Sequence, residues 1–196
     1  MARSSASLSR IRTISQAHLR YLIITVIAVI GFRIALTRSQ ASVEPRTVQS
    51  SDQKLQLTLP TGWETTTLPF RREIDVLQAK CIGKNTYLNI VSEPKSDLSF
   101  RSLQEYADAI IKIEAGTSQL QNRALTGPDK IVIKGKNALR YQAVGTRQSI
   151  IVLCIKTFIE TPHRWNQILI LTTPSHLEDI QDDVRRIVED FEECGG

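Results

Sequence analysis

The chain has 196 residues, 41% of them hydrophobic and 23% charged, enough for one domain with a proper core and a modest appendage but a squeeze for two. Pro and Gly together number only 16, which excludes disordered and low-complexity classes. The net charge of +5 invites a nucleic-acid reading, yet residues 1–40 hold Arg3, Arg10, Arg12, Arg20, Arg33 and Arg38 and no acid, leaving 19 basic against 20 acidic residues from position 41 onward. The basicity belongs to the N-terminal segment. No aromatic stacking platform accompanies the other basic residues, so nucleic acid is not expected as a partner.

In chain order, residues 21–32 read YLIITVIAVIGF, twelve without a charge, and Ile34, Ala35 and Leu36 extend the run past Arg33. As a helix, residues 21–36 span about 24 Å, against roughly 30 Å of bilayer hydrocarbon. Arg33 can snorkel to the headgroups and make a short anchor workable. Residues 1–20 carry four arginines and no acid, which places them in the cytoplasm by the positive-inside rule. The organisation expected is a basic cytoplasmic segment at 1–20, a transmembrane signal anchor or signal-peptide core at 21–36, a linker at 37–53 and a globular domain at 54–196. The domain then lies in the periplasm or thylakoid lumen. Ser39-Gln40-Ala41 offers an alternative, export with cleavage near Ala41, and the Ser- and Arg-rich start also resembles a plastid transit peptide.

Leu55, Leu57 and Leu59 alternate with polar residues and predict a strand stopped by Pro60, before the turn Pro60-Thr61-Gly62 and Trp63. Residues 76–82 and 87–92 predict two strands joined at Gly83-Lys84-Asn85. A helix follows: Ser102 and Glu105 form a capping box, with Leu103, Tyr106, Ala107, Ile110 and Ile111 at helical spacing. Strands are expected at 131–133, 138–144, 150–159 and 165–172, the third apolar on both faces as a covered central strand would be. The closing helix carries a second capping box, Ser175 with Glu178, and an apolar face of Leu177, Ile180, Val184, Ile187, Val188 and Phe191. The order predicts an α+β domain, an antiparallel sheet flanked by helices and preceded by one N-terminal hydrophobic helix.

These landmarks resemble the PsbP-like superfamily, whose founding members are extrinsic lumenal proteins of photosystem II. The likeness rests on the run Leu57-Thr58-Leu59-Pro60-Thr61-Gly62-Trp63, on Tyr87-Leu88-Asn89-Ile90, and on the helix from Leu103 to Tyr106. Gly135-Lys136-Asn137-Ala138 with Tyr141, and the closing helix ending on Phe191, complete it. It covers nearly the whole globular part and implies an α/β/α sandwich with a non-enzymatic binding role at a membrane protein complex, photosystem II being the family's example. The N-terminal segment departs from the photosystem proteins, looking like an anchor and not like a flexible arm.

Residues 120–173 hold eight basic residues and two acids, while residues 174–196 hold eight acids and two arginines. A field so divided can orient the domain on an acidic face, and Lys130, Lys134, Lys136, Arg140 and Arg147 are the candidate partner-binding residues. An ordinary solvated hairpin beside an acidic helix explains the same pattern. Cys81 and Cys154 fall in predicted strands; as neighbours they would close a disulfide worth roughly 4 kcal/mol, and otherwise they are two core thiols. Cys194 stands among acids, a poor setting for a nucleophile. There is no GxSxG, HExxH, CxxC or phosphate loop, so no catalytic residue, metal or cofactor is expected. Trp63 and Trp165 read as core. The alternatives to a complex-binding protein are an envelope protein holding a small apolar or anionic ligand between sheet and helix, and a cysteine- or histidine-dependent enzyme.

Overall fold

The computed structural model describes residues 44–68, 74–117 and 120–194. The expected anchor at 21–36, its basic flank and the cleavage site near Ala41 lie outside these residues. Among the described residues, no helix is long and apolar enough to cross a membrane.

Among the described residues, ten strands and two α-helices follow one another. They are β1 (Arg46–Gln49), β2 (Leu55–Leu59), β3 (Trp63–Thr65), β4 (Asp75–Cys81), β5 (Thr86–Pro94), α1 (Leu103–Thr117), β6 (Gln121–Ile133), β7 (Lys136–Arg147), β8 (Ile150–Glu160), β9 (Arg164–Thr172), α2 (Leu177–Glu189) and β10 (Glu192–Glu193). Seven strands form one antiparallel sheet in the order β3-β4-β5-β9-β8-β7-β6, and β1-β2-β10 form a small second sheet. The predicted α+β architecture is present, a large antiparallel sheet with a helix on each face.

The two faces follow from the period of two along each strand. Ala79 and Cys81 of β4, Leu88 and Ile90 of β5, Ile168 and Ile170 of β9, and Ile155 of β8 point to one side. There they meet Ile180, Val184, Ile187 and Val188 of α2, Phe191, and the three leucines of β2. Trp63 is fully buried in this core, and its Nε1 donates to Asp183 Oδ2 at 3.0 Å. The other face carries an aromatic core under α1. Tyr106 stacks on Trp165 at 5.5 Å and meets Phe158 edge-on at 5.8 Å, and Tyr141 meets Phe158 at 5.7 Å.

The first capping box forms in its forward half: Ser102 Oγ accepts from the Glu105 N–H at 3.2 Å, while Glu105 Oε2 reaches one residue further back and accepts from the Arg101 N–H at 2.8 Å. The second does not. A 3₁₀ turn at Pro174–His176 intervenes, so Ser175 Oγ meets Thr173 Oγ1 at 2.9 Å instead of reaching back along α2.

The segment read as linker contains β1, which pairs with β2 from Arg46↔Leu59 to Gln49↔Gln56. Its side chains are exposed except for a half-buried Val48, so the ladder forms it with no hydrophobic alternation to betray it. β6 is also longer than expected, beginning at Gln121. It is exposed along nearly its whole length and broken by irregularities between Gln121 and Ala124 and between Thr126 and Asp129. Gly127, at φ +107°, sits in the second: a Cβ there would lie 2.6 Å from the Arg140 carbonyl oxygen.

Candidate functional site

The five predicted basic residues do not form one patch. Lys136 and Arg147 are the two ends of β7, roughly 37 Å apart at the usual strand rise. Lys134 is engaged, reaching Asp190 Oδ1 at 3.5 Å and Glu192 Oε1 at 3.6 Å. The Glu192 carboxyl is held below its usual range by the hydrogen bond from Gln56 and then by Lys134, with Lys136 adding to the effect. Arg140 points to the α2 side, into a groove of about 590 Å³ shared with Asp182, Arg185 and Glu189. Lys130 pairs with Leu139 in the ladder, one position along from Arg140 and on the opposite face. Lys134 therefore offsets acids just past the end of α2, and Arg140 faces the acids of α2 across the groove.

The disulfide is also corrected. Cys81 lies on β4 and Cys154 on β8, with β5 and β9 between them. Three strand spacings amount to about 14 Å, beyond the roughly 7 Å that a disulfide tolerates between Cα atoms. The register also turns them to opposite faces: Cys81 pairs with Thr86, whereas Cys154 pairs with Leu171, which pairs with Tyr87. All three cysteines are free. Burial pushes the Cys81 thiol up, with Lys84 opposing and Asp183 adding. Burial likewise pushes Cys154 up to about 11, so it is a neutral thiol at ordinary pH.

The feature with the most chemistry is a cleft of about 620 Å³ on the α1 side. Its floor is apolar: Leu169 and Leu171 of β9, Val152 and Cys154 of β8, Ala143 of β7, with Tyr87 of β5 as a wall. Around it stand Arg123, Arg147, Lys156 and Glu114, a net charge of +2. Lys156 is only 3% exposed and bonds Glu114 of α1, so these two charges offset one another. Arg123 and Arg147 have no such partner among the described residues. Arg123 Nε is buried and its N–H reaches no acceptor among them.

The first irregularity of β6 places Arg123 here. Gly145 of β7 makes room for it, since a Cβ on Gly145 would come within 2.9 Å of Leu120 Cβ and 3.0 Å of the Gln121 oxygen. Of the predicted residues Arg147 and Cys154 line this cleft. Arg123 and Glu114 are brought there by a bulge and a helix end, which follow no sequence period, and Lys156 and Tyr87 by the pairing of β8 and β5 with β9, which their own strands do not specify.

The end of the sheet beside the cleft is apolar and exposed. At the β7–β8 turn Ile150, on the cleft face, is 58% accessible, and Ile151, which shares the other face with the exposed Val144, is 55% accessible. Among the buried polar residues on the α1 side, Asn89 Nδ2 donates to Asp75 Oδ1 at 3.0 Å and Gln78 Oε1 accepts from the Leu68 N–H at 2.8 Å, whereas Trp165 Nε1, like Arg123 Nε, finds no acceptor among the described residues. Among the described residues no group of three His, Cys, Asp or Glu side chains is placed to hold a metal.

No protein-family profile matches the sequence, and no curated protein matches it. Solved structures do match in fold. PsbP (CyanoP) of Synechocystis sp. PCC 6803 aligns with a TM-score of 0.58 at 8% identity, over 79% of this chain and 96% of that one. LpqN of Mycobacterium tuberculosis, involved in cell envelope biogenesis, aligns at 0.56 and 11%, over 78% and 91%. The Saccharomyces cerevisiae Ran-binding protein Mog1p aligns at 0.55 and 10%, over 78% and 96%. The chain thus has the PsbP-like fold that its sequence landmarks resemble.

Proposed function

We propose that this is a non-enzymatic accessory protein that binds, and assists the assembly or stability of, a membrane protein complex. Residues 21–36 hold it to the membrane, with its N-terminus cytoplasmic and its domain in the periplasm or thylakoid lumen. The resemblance to PsbP nominates photosystem II as the complex. Two of the similar structures carry names that tie them to a partner or a cell envelope, Ran-binding Mog1p and LpqN, which supports a binding role for the fold.

The observation that carries this reading is the β7–β8 turn. Ile150 is exposed there beside Arg147 on the cleft face, Ile151 and Val144 are exposed on the other face of the same sheet end, and large aliphatic side chains left in water at one sheet end mark contact surfaces. A docked partner removes them from water while Arg147 supplies orientation. The test is a native gel of mildly solubilised source membranes probed for this protein. Co-migration with a large complex, lost in an Ile150→Asp/Ile151→Asp variant, is the expected result. Migration near monomer size for the unaltered chain overturns it.

A further inference from the structure

We infer that the cleft between β8, β9 and the end of α1 is a binding site for a long-chain amphiphile with one anionic head group. This goes beyond partner docking and stands independently of it.

The cleft volume of about 620 Å³ falls within the roughly 300–1,000 Å³ usual for small-molecule sites. Its walls divide by chemistry. Leu169, Leu171 and Val152 are half-buried, a surface continuous with the sheet over the buried Ala143 and left uncovered by α1, whose packed residues run from Leu103 to Ile111. An apolar chain laid on that floor completes the layer that the helix leaves unfinished. Cys154, a neutral thiol, belongs to this apolar lining.

The polar side fixes the sign and number of charges. Lys156 is already answered by Glu114. Two arginines are left over, one with a buried Nε lacking a partner, and a guanidinium fork pairs with a carboxylate or a phosphate. A neutral tail with no head leaves that buried donor unanswered, and a cationic head meets like charge. The occupant is therefore an anion at one end and a hydrocarbon at the other.

Cys154 provides a site-resolved readout. The full chain in phosphatidylcholine nanodiscs is alkylated with N-ethylmaleimide, and each cysteine is followed by peptide mass spectrometry. Palmitate and hexadecyl phosphate are the anionic probes, which differ only in head group, and hexadecanol is the uncharged control. An anionic probe at about ten times its dissociation constant slows Cys154 alkylation about tenfold while Cys194 is unaffected. Hexadecanol protects far less. In Arg123→Gln/Arg147→Gln the protection is lost, with the slow labelling of Cys81 on the opposite face reporting that the fold persists. Leu171→Trp fills the floor, slows Cys154 without any probe and abolishes the response to it. Protection by neither anionic probe, equal protection by hexadecanol, or full protection in the double-arginine variant overturns the proposal.

Discussion

The two faces of the seven-stranded sheet are made from the same strands and finished differently. On the α2 side, β9 contributes Ile168 and Ile170, each 1% exposed, to a core closed by a helix, by β2 and by Phe191. On the α1 side the same strand contributes Leu169 and Leu171, which are only half-buried in the cleft. The difference lies in coverage and not in strand composition. α2 and the small sheet seal the first face, whereas α1 covers the aromatic cluster and leaves the β8–β9 end open. Stability is therefore concentrated on one face, and the freedom to bind lies on the other.

Adjacent residues on β9 give the largest test. Ile170→Ala empties part of a sealed core and should cost about 3–4 kcal/mol, while Leu171→Ala should cost only about 1 kcal/mol, since its side chain already borders open space. Urea unfolding of both variants measures the gap; equal losses would show that the cleft floor is as tightly packed as the sealed core.

A second test concerns the ion pair at the cleft. Glu114→Ala leaves the buried Lys156 without its counter-charge and should cost about 2 kcal/mol, and adding Lys156→Met should recover most of it. On the sealed face, Asp183→Ala removes the acceptor of Trp63 Nε1 and should cost about 1 kcal/mol by the same assay.

The smallest effects are read at the thiols. Because burial holds Cys154 protonated up to about 11, its alkylation should climb about tenfold per pH unit above neutrality and level off only near that value. A plateau near pH 8 would show a solvated thiolate and an open cleft wall. The denatured, unreduced chain should titrate as three free thiols, Cys81, Cys154 and Cys194; one thiol alone, with a Cys81–Cys154 cross-linked peptide by mass spectrometry, would mean that those two do meet.

The sealed face was the more legible of the two in the sequence. Leu55, Leu57 and Leu59, the alternate Leu153, Ile155 and Ile159 of β8, and the 3–4 spacing of Ile180, Val184 and Ile187 all announce burial through period, whereas the apolar start of β8 at Ile150 and Ile151, expected to be covered, is exposed. The PsbP-like landmarks then order these elements into the fold that the similar structures share. What escaped was made by hydrogen bonding without pattern. β1 is held by its ladder with β2, and the start of β6 is an exposed edge whose residues obey no alternation. The cleft depends on that same irregular segment for Arg123. The five candidate basic residues are not gathered in one place for a related reason: sequence counts charge along a hairpin, but pleating sends Lys130 and Arg140 to opposite faces and Lys134 reaches Asp190 and Glu192.

The irregular outer strand has another consequence. A large open sheet has two free borders, and each is a template on which another copy can add a strand. Here one border is β3, only three residues long. The other is β6, thirteen residues long but interrupted twice, with Pro128 supplying no N–H in the middle. An incoming strand finds no uninterrupted row of donors and acceptors to follow. Copies crowded together are thus kept from fibre growth by the same irregularities that carry Arg123 to the cleft.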